Sequence, residues 1–145
     1  MKKCSEVMTK NPVCCVPGDR VAKVAQLMKN TDVGSVPIVE DEHSRRLVGI
    51  VTDRDLALKM VAEGRSALTA KAEEVMSVGM VTCRAEDDLE KALDAMSGKQ
   101  LRRIPVVDDD GKIVGIIAQA DVATRVNRSE ATASMVREIS QSNSK

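Results

Sequence analysis

Thr52 and Asp55 are the residues best spaced to do chemistry, standing directly after the apolar run Leu47-Val48-Gly49-Ile50-Val51. An ionised carboxylate accepts hydrogen bonds through two oxygens, so one Asp can take both of the adjacent hydroxyls of a sugar. A Thr one helical turn earlier reaches the same sugar or its phosphate. If a helix opens at Asp53, its free N–H groups and positive end also favour a phosphate there. Thr-x-x-Asp is equally a capping box, which closes on itself and needs no ligand. Spacing alone leaves both readings open.

Other reactive side chains are few. His43, the single histidine, falls in a charged loop and has no claim to act as a base. The cysteines at 4, 14, 15 and 83 show no C-x-x-C spacing and read as reduced thiols. Cys14-Cys15 has the makings of a redox or soft-metal element, but Cys15 repeats as Cys83, which suits a small buried strand residue. Nothing in the spacing asks for a thiolate metal site. The sequence carries no G-x-x-x-x-G-K-[ST], G-x-G-x-x-G or H-E-x-x-H motif. No nucleophile, base and orienting group can be assembled, so no catalytic residue, metal site or required cofactor is expected.

Composition narrows the classes further. The 145 residues carry 22 basic and 22 acidic side chains, for a net charge of zero. That balance argues against a globally basic nucleic-acid binder. There is no Phe, Tyr or Trp, which removes aromatic platforms for bases and aromatic cages for quaternary ammonium groups. An apolar share of 43% fits a folded domain. No run approaches the roughly 20 apolar residues of a membrane helix, and no signal-peptide apolar region follows Lys2-Lys3. A cytoplasmic protein with no membrane partner is expected.

The elements that position Thr52 and Asp55 come from an internal repeat. At one constant offset Val7-Met8 falls on Val75-Met76, Val13 on Val81, Cys15 on Cys83, Asp19 on Asp87, Met28 on Met96 and Pro37 on Pro105. After a two-residue contraction in a loop, Val48-Gly49-Ile50 falls on Val114-Gly115-Ile116 and Asp55 on Asp121. Each copy starts with a short extended piece (Val13–Val16; Val81–Arg84). A helical stripe at i, i+3, i+4, i+7 follows: Val21, Val24, Ala25 and Met28, then Leu89, Ala92, Leu93 and Met96. Asn30 and Gly98 are placed to end these helices. Two continuous apolar runs come next in each copy, as in strands covered on both faces. Polar loops join them, Glu40–Arg46 and the hairpin signature Asp108–Lys112. Final helices are expected from Asp53 toward Val61 and from Gln119 to Val126. The unit is β-α-β-β-α, too small to be comfortable alone, so two copies packed sheet to sheet are expected to share one core.

These residues resemble a tandem pair of cystathionine-β-synthase (CBS) domains, a Bateman module. The likeness rests on Val7-Met8-Thr9, Gly34-Ser35-Val36-Pro37-Ile38-Val39 and Val48 through Asp55. In copy two it rests on Val75-Met76-Ser77, Arg102 through Val107 and Val114 through Asp121. It divides the chain into repeat 1 (5–63), a linker (64–72), repeat 2 (73–126) and a C-terminal tail (127–145). Within that tail Arg128–Ile139 reads as a helix that packs on a partner, and Ser140–Lys145 as disordered. The fold implied is α/β, two pseudo-symmetric repeats in one disc-like module, with no room for a catalytic or transport domain. Such modules commonly dimerise into a disc of four repeats and bind adenosyl ligands between the two repeats.

For the site, the resemblance implies that Thr52 and Asp55 hold a ribose. Arg102 and Arg103 then reach phosphates of the same ligand from the other repeat; the alternative is that they pair with acids such as Asp108 at a solvated strand end. Arg54 is a further phosphate candidate. Ile50, Val36, Met80 and Val81 are candidate walls for an adenine. In copy two Ala118 replaces the Thr although Asp121 remains, and Gly34-Ser35 replace the arginines, so that site is expected to be poorer. The function implied is a stand-alone regulatory module that binds AMP, ADP, ATP or S-adenosylmethionine and signals to a protein partner. A ligand-free dimerisation scaffold is the alternative.

Overall fold

A computed structural model describes residues 2–120 and 122. In chain order these form α1 (Cys4–Val7), β1 (Thr9–Lys10), α2 (Val21–Thr31), β2 (Ser35–Val39), β3 (Leu47–Thr52), α3 (Asp53–Leu56), β4 (Cys83–Arg84), α4 (Leu89–Lys99), β5 (Arg103–Val107) and β6 (Ile113–Ala118). A π-helical turn, Ala57–Val61, continues α3, and a 3-10 turn spans Ala72–Glu74. The chain forms two compact units whose boundaries cross the sequence repeat. Pro12–Met80 with Asp110–Ile113 make the first-repeat unit. Lys2–Asn11, Val81–Asp109 and the described residues from Val114 onward make the second-repeat unit.

In the first-repeat unit β2 and β3 pair antiparallel, with Ser35 opposite Thr52 and Pro37 opposite Ile50. Cys15 adds a parallel bridge to Ile38, and Ser77 an antiparallel bridge to Ile50. Every residue of β2 is buried, as its unbroken apolar run requires. The stripe Val21, Val24 and Met28 on α2 packs over this layer, in a core with Ile38, Val51 and Met60. Full burial of a side chain such as Ile38 contributes roughly 1.5–3 kcal/mol.

The second-repeat unit repeats the plan with strand order β1-β6-β5-β4. Cys83 pairs parallel with Val106, and Thr9 antiparallel with Ile116. Leu89, Ala92, Leu93 and Met96 of α4 are its buried stripe. The Val-Met-hydroxyl segment ahead of each repeat therefore belongs to the other repeat's sheet: Met8-Thr9 lies along β6, and Met76-Ser77 along β3. A glycine permits each approach. A Cβ on Gly49 would stand 2.6 Å from Met76 Sδ, and one on Gly115 would stand 2.8 Å from Met8 Cγ.

The helix ends correct one expectation. Asn30 and Gly98 remain inside α2 and α4, and the left-handed residues are Asp32 (φ 55°) and Gln100 (φ 54°), two places later. A terminal αL residue satisfies carbonyls of the last turn whether or not it is glycine. The Asp32 N–H bonds the Met28 carbonyl and the Gln100 N–H that of Met96. The final helix of copy two is described only at Gln119, Ala120 and Val122. Asp121 and the C-terminal segment, with its expected helix and tail, lie outside the described residues.

Candidate functional site

β3 delivers Thr52 to the end of its hydrogen-bonded ladder, where extended backbone (φ −112°, ψ 164°) turns into α3. Thr52 is the N-cap residue. Its Oγ1 accepts the Asp55 N–H at 3.2 Å, and Asp55 Oδ2 accepts the Thr52 N–H at 2.9 Å. The Thr52 hydroxyl also donates to Asp55 Oδ2 at 3.1 Å. The capping box is thus closed on both sides. The other carboxylate oxygen, Oδ1, faces Lys59 Nζ at 3.1 Å and accepts a long hydrogen bond from Ser77 Oγ at 3.4 Å. Lys59 is anchored in turn by donating to the Val75 carbonyl at 2.8 Å.

Lys59 and Ser77 are the neighbours of Asp55 that the sequence reading missed. The i, i+4 spacing of Asp55 and Lys59 was available as a signal, because a carboxylate followed one turn later by an ammonium is a standard helical pair. Ser77 was not accessible that way. It arrives through the bridge to Ile50, a long-range pairing that local periodicity does not contain.

The structure brings Thr52, Asp55, Arg54, Ile50 and Val36 into the first-repeat unit. Arg54 is exposed on the first turn of α3. Ile50 is buried mid-strand, and Val36 has no exposed surface and packs in the core. Met80 is half-buried at the end of the same unit, and Val81 is half-buried where the second-repeat unit resumes. Arg102 is exposed and Arg103 half-buried at the start of β5. The Arg102 carbonyl accepts the Gln119 N–H at 2.9 Å, matching the Gly34 carbonyl and Asp53 N–H at 2.9 Å in the first-repeat unit. Each pair of residues ahead of the repeat's Pro thus flanks the opening of its own unit's final helix.

The remaining candidates settle into structural places. The His43 N–H bonds Asp41 Oδ1 at 2.9 Å in an exposed loop. Cys15 is buried beside β2, and burial pushes its thiol up to about 12. Burial also raises the Cys14 thiol, against the pull of Arg45, whose guanidinium donates to Cys14 Sγ at 3.6 Å. Among the described residues no group of three or more His, Cys, Asp or Glu side chains is arranged to hold a metal ion. None of their helices is long and apolar enough to cross a membrane.

Two α/β units that share one strand-helix-strand-strand-helix plan, each with a hydroxyl-bearing segment laid against its last strand, define a tandem-repeat protein. The CBS domain profile matches residues 4–62 and again 72–128. The chain belongs to the CBS domain family and carries the domain twice. It is 36% identical over 143 residues to the CBS domain-containing protein YhcV of Bacillus subtilis, covering 99% of both chains. A crystal structure of Hypoxic Response Protein I with two coordinated zinc ions superposes with a TM-score of 0.77 at 30% identity, covering 87% of this chain and 100% of that one. The CBS domain pair of protein MJ0100, in complex with 5-methylthioadenosine and S-adenosyl-L-methionine, gives 0.74 at 25% identity, over 85% of this chain and 94% of that one.

Proposed function

We propose that this protein is a regulatory ligand sensor in which Thr52 and Asp55 hold the ribose of an adenosyl ligand, an adenine nucleotide or S-adenosylmethionine. The observation that carries the reading is the placement of the Asp55 carboxylate at the β3–α3 junction, in a family where a structural relative holds adenosyl ligands. Oδ1 keeps lone-pair capacity beyond its contacts with Lys59 and the long bond from Ser77. A sugar hydroxyl in place of Ser77 costs the protein only that weak contact. Arg102 and Arg103 supply the phosphate-binding charge in this reading, with Arg54 beside the ribose. The protein acts by having different ligand affinity in two states, and so reports to a protein partner rather than catalysing a reaction.

A homodimer is part of the same reading. Leu58 and Val61 lie one turn apart on the π-helical turn and are 50% and 80% exposed, which leaves an apolar surface suited to a second copy.

The second reading, a ligand-free scaffold, is favoured by one observation: the Asp55 carboxylate is already engaged by Thr52, Ser77 and Lys59. Native mass spectrometry of freshly purified protein separates the two. The sensor reading expects a dimer carrying an adenosyl-sized adduct, or acquiring one from added AMP or S-adenosylmethionine. Bare protein at every ligand concentration tried favours the scaffold.

A further inference from the structure

β4 and α4 of the second-repeat unit border a cleft of about 380 Å³, within the roughly 300–1,000 Å³ range of small-molecule sites. Val81, Ala92, Ala95 and Ile104 give it an apolar lining, and Arg84 and Lys91 add two cations.

The first-repeat unit follows the same plan with different residues at these places. At the constant repeat offset, Val24 and Leu27 stand where Ala92 and Ala95 stand. Val24 is fully buried, and Leu27 packs against the core of that unit. Val16 and Cys14 stand where Arg84 and Thr82 stand. Each difference makes the second copy roomier or more polar along one groove. Shortening buried side chains costs a fold burial and leaves a cavity, and an apolar ligand seated there restores the burial.

The charges favour an anion. Asp87 is the acidic residue of the lining, and its carboxylate is turned to backbone, with Oδ2 accepting the Arg84 N–H at 2.9 Å. Lys91 Nζ stands 3.9 Å from Asp87 Oδ1, too far for a hydrogen bond, whereas its counterpart Lys23 donates to Asp19 at 3.3 Å. The Lys91 side chain is 75% exposed. Arg84 pairs with the exposed Asp109 through Nη1, and a guanidinium carries five N–H donors.

We propose that this cleft binds a small aliphatic carboxylate, with its hydrocarbon body on Ala92, Ala95 and Ile104 and its charge met by Lys91 and Arg84. A compact amphipathic anion uses both halves of the lining: the alkyl chain leaves water against apolar side chains, and the carboxylate takes charge-assisted hydrogen bonds. Of the residues proposed for the adenosyl ligand only Val81 lines this cleft, and neither Thr52 nor Asp55 belongs to it.

The test titrates sodium hexanoate into the full-length protein with isotope-labelled alanine methyls, followed by NMR. Saturable shifts of the Ala92 and Ala95 methyls are expected, with several times weaker binding of hexanamide, which has the same body and no charge. Lys91→Met removes an exposed ammonium and should bring hexanoate down toward the affinity of hexanamide. Lys23→Met, the same change in the first repeat, should leave hexanoate binding as it was. Ala92→Val with Ala95→Leu copies Val24 and Leu27, fills the cleft and should abolish the rise in melting temperature that hexanoate gives the wild type. No saturable shift at either methyl, equal wild-type affinity for hexanoate and hexanamide, or undiminished hexanoate binding in Lys91→Met would each overturn the proposal.

Discussion

Asp55 Oδ2 lies 2.9 Å from the Thr52 backbone nitrogen, while Thr52 Oγ1 lies 3.2 Å from the Asp55 nitrogen, so the two residues cap each other. The same carboxylate is the group proposed to hold a sugar, and the two roles use different atoms. Oδ2 serves the cap, and among the described residues Oδ1 is met by Lys59 and by the long bond from Ser77. In the proposed reading, a cap that fixes the carboxylate through Oδ2 leaves the remaining lone-pair capacity of Oδ1 as a preorganised acceptor.

The cap predicts a stability cost for Thr52→Ala of about 1 kcal/mol, because the Asp55 N–H loses its acceptor. Asp55→Asn retains a side-chain oxygen for the Thr52 N–H and should cost less than Asp55→Ala. Urea denaturation of the three variants checks the order. Equal stabilities would show that the box contributes nothing.

The two kinds of glycine should respond oppositely to alanine. Gly49→Ala places a Cβ 2.9 Å from Met76 Cγ and 3.1 Å from the Ser77 carbonyl. That overpacking should cost about 1–3 kcal/mol. Gly98 sits inside α4 with open space where a Cβ would be, and Gly98→Ala should stabilise by up to about 1 kcal/mol. Thermal melts of both variants report the signs directly.

Alkaline pH should destabilise the fold through Cys15. Burial raises its thiol from 9.0 to about 12, so the folded chain binds this proton more tightly than the unfolded chain. Stability is then intact below pH 9 and falls as pH rises from 9 toward 12. Cys14, which burial also pushes up, adds a slope of the same sign. Urea midpoints measured from about pH 8 upward should decline, and Cys15→Ala should make the decline shallower. A midpoint independent of pH would contradict this.

Much of the architecture was legible because its determinants are periodic and local. The stripe on α2 and the unbroken apolar run of β2 were each fixed by a single segment, and the repeat confirmed both by duplication. Helix ends were less legible: Asn30 and Gly98 have the right chemistry for an αL position, but Asp32 and Gln100 take it. At the site, Thr52 and Asp55 were visible because a cap is a short-range motif. Ser77 was hidden because it reaches Asp55 through the Ile50–Ser77 bridge, a contact between segments far apart in sequence.

The most direct test of the sensor reading is a calorimetric titration of AMP and of S-adenosylmethionine into the wild type, Asp55→Asn and Arg102→Ala. The account predicts micromolar-range binding of at least one ligand to the wild type, about −8 kcal/mol. Asp55→Asn should bind at least tenfold more weakly with its fold intact. Arg102→Ala should lose affinity for the phosphate-bearing ligand with an unchanged melting temperature, because Arg102 is exposed. No heat with either ligand, or equal affinity in the wild type and Asp55→Asn, would contradict the account and leave Thr52 and Asp55 as a helix cap.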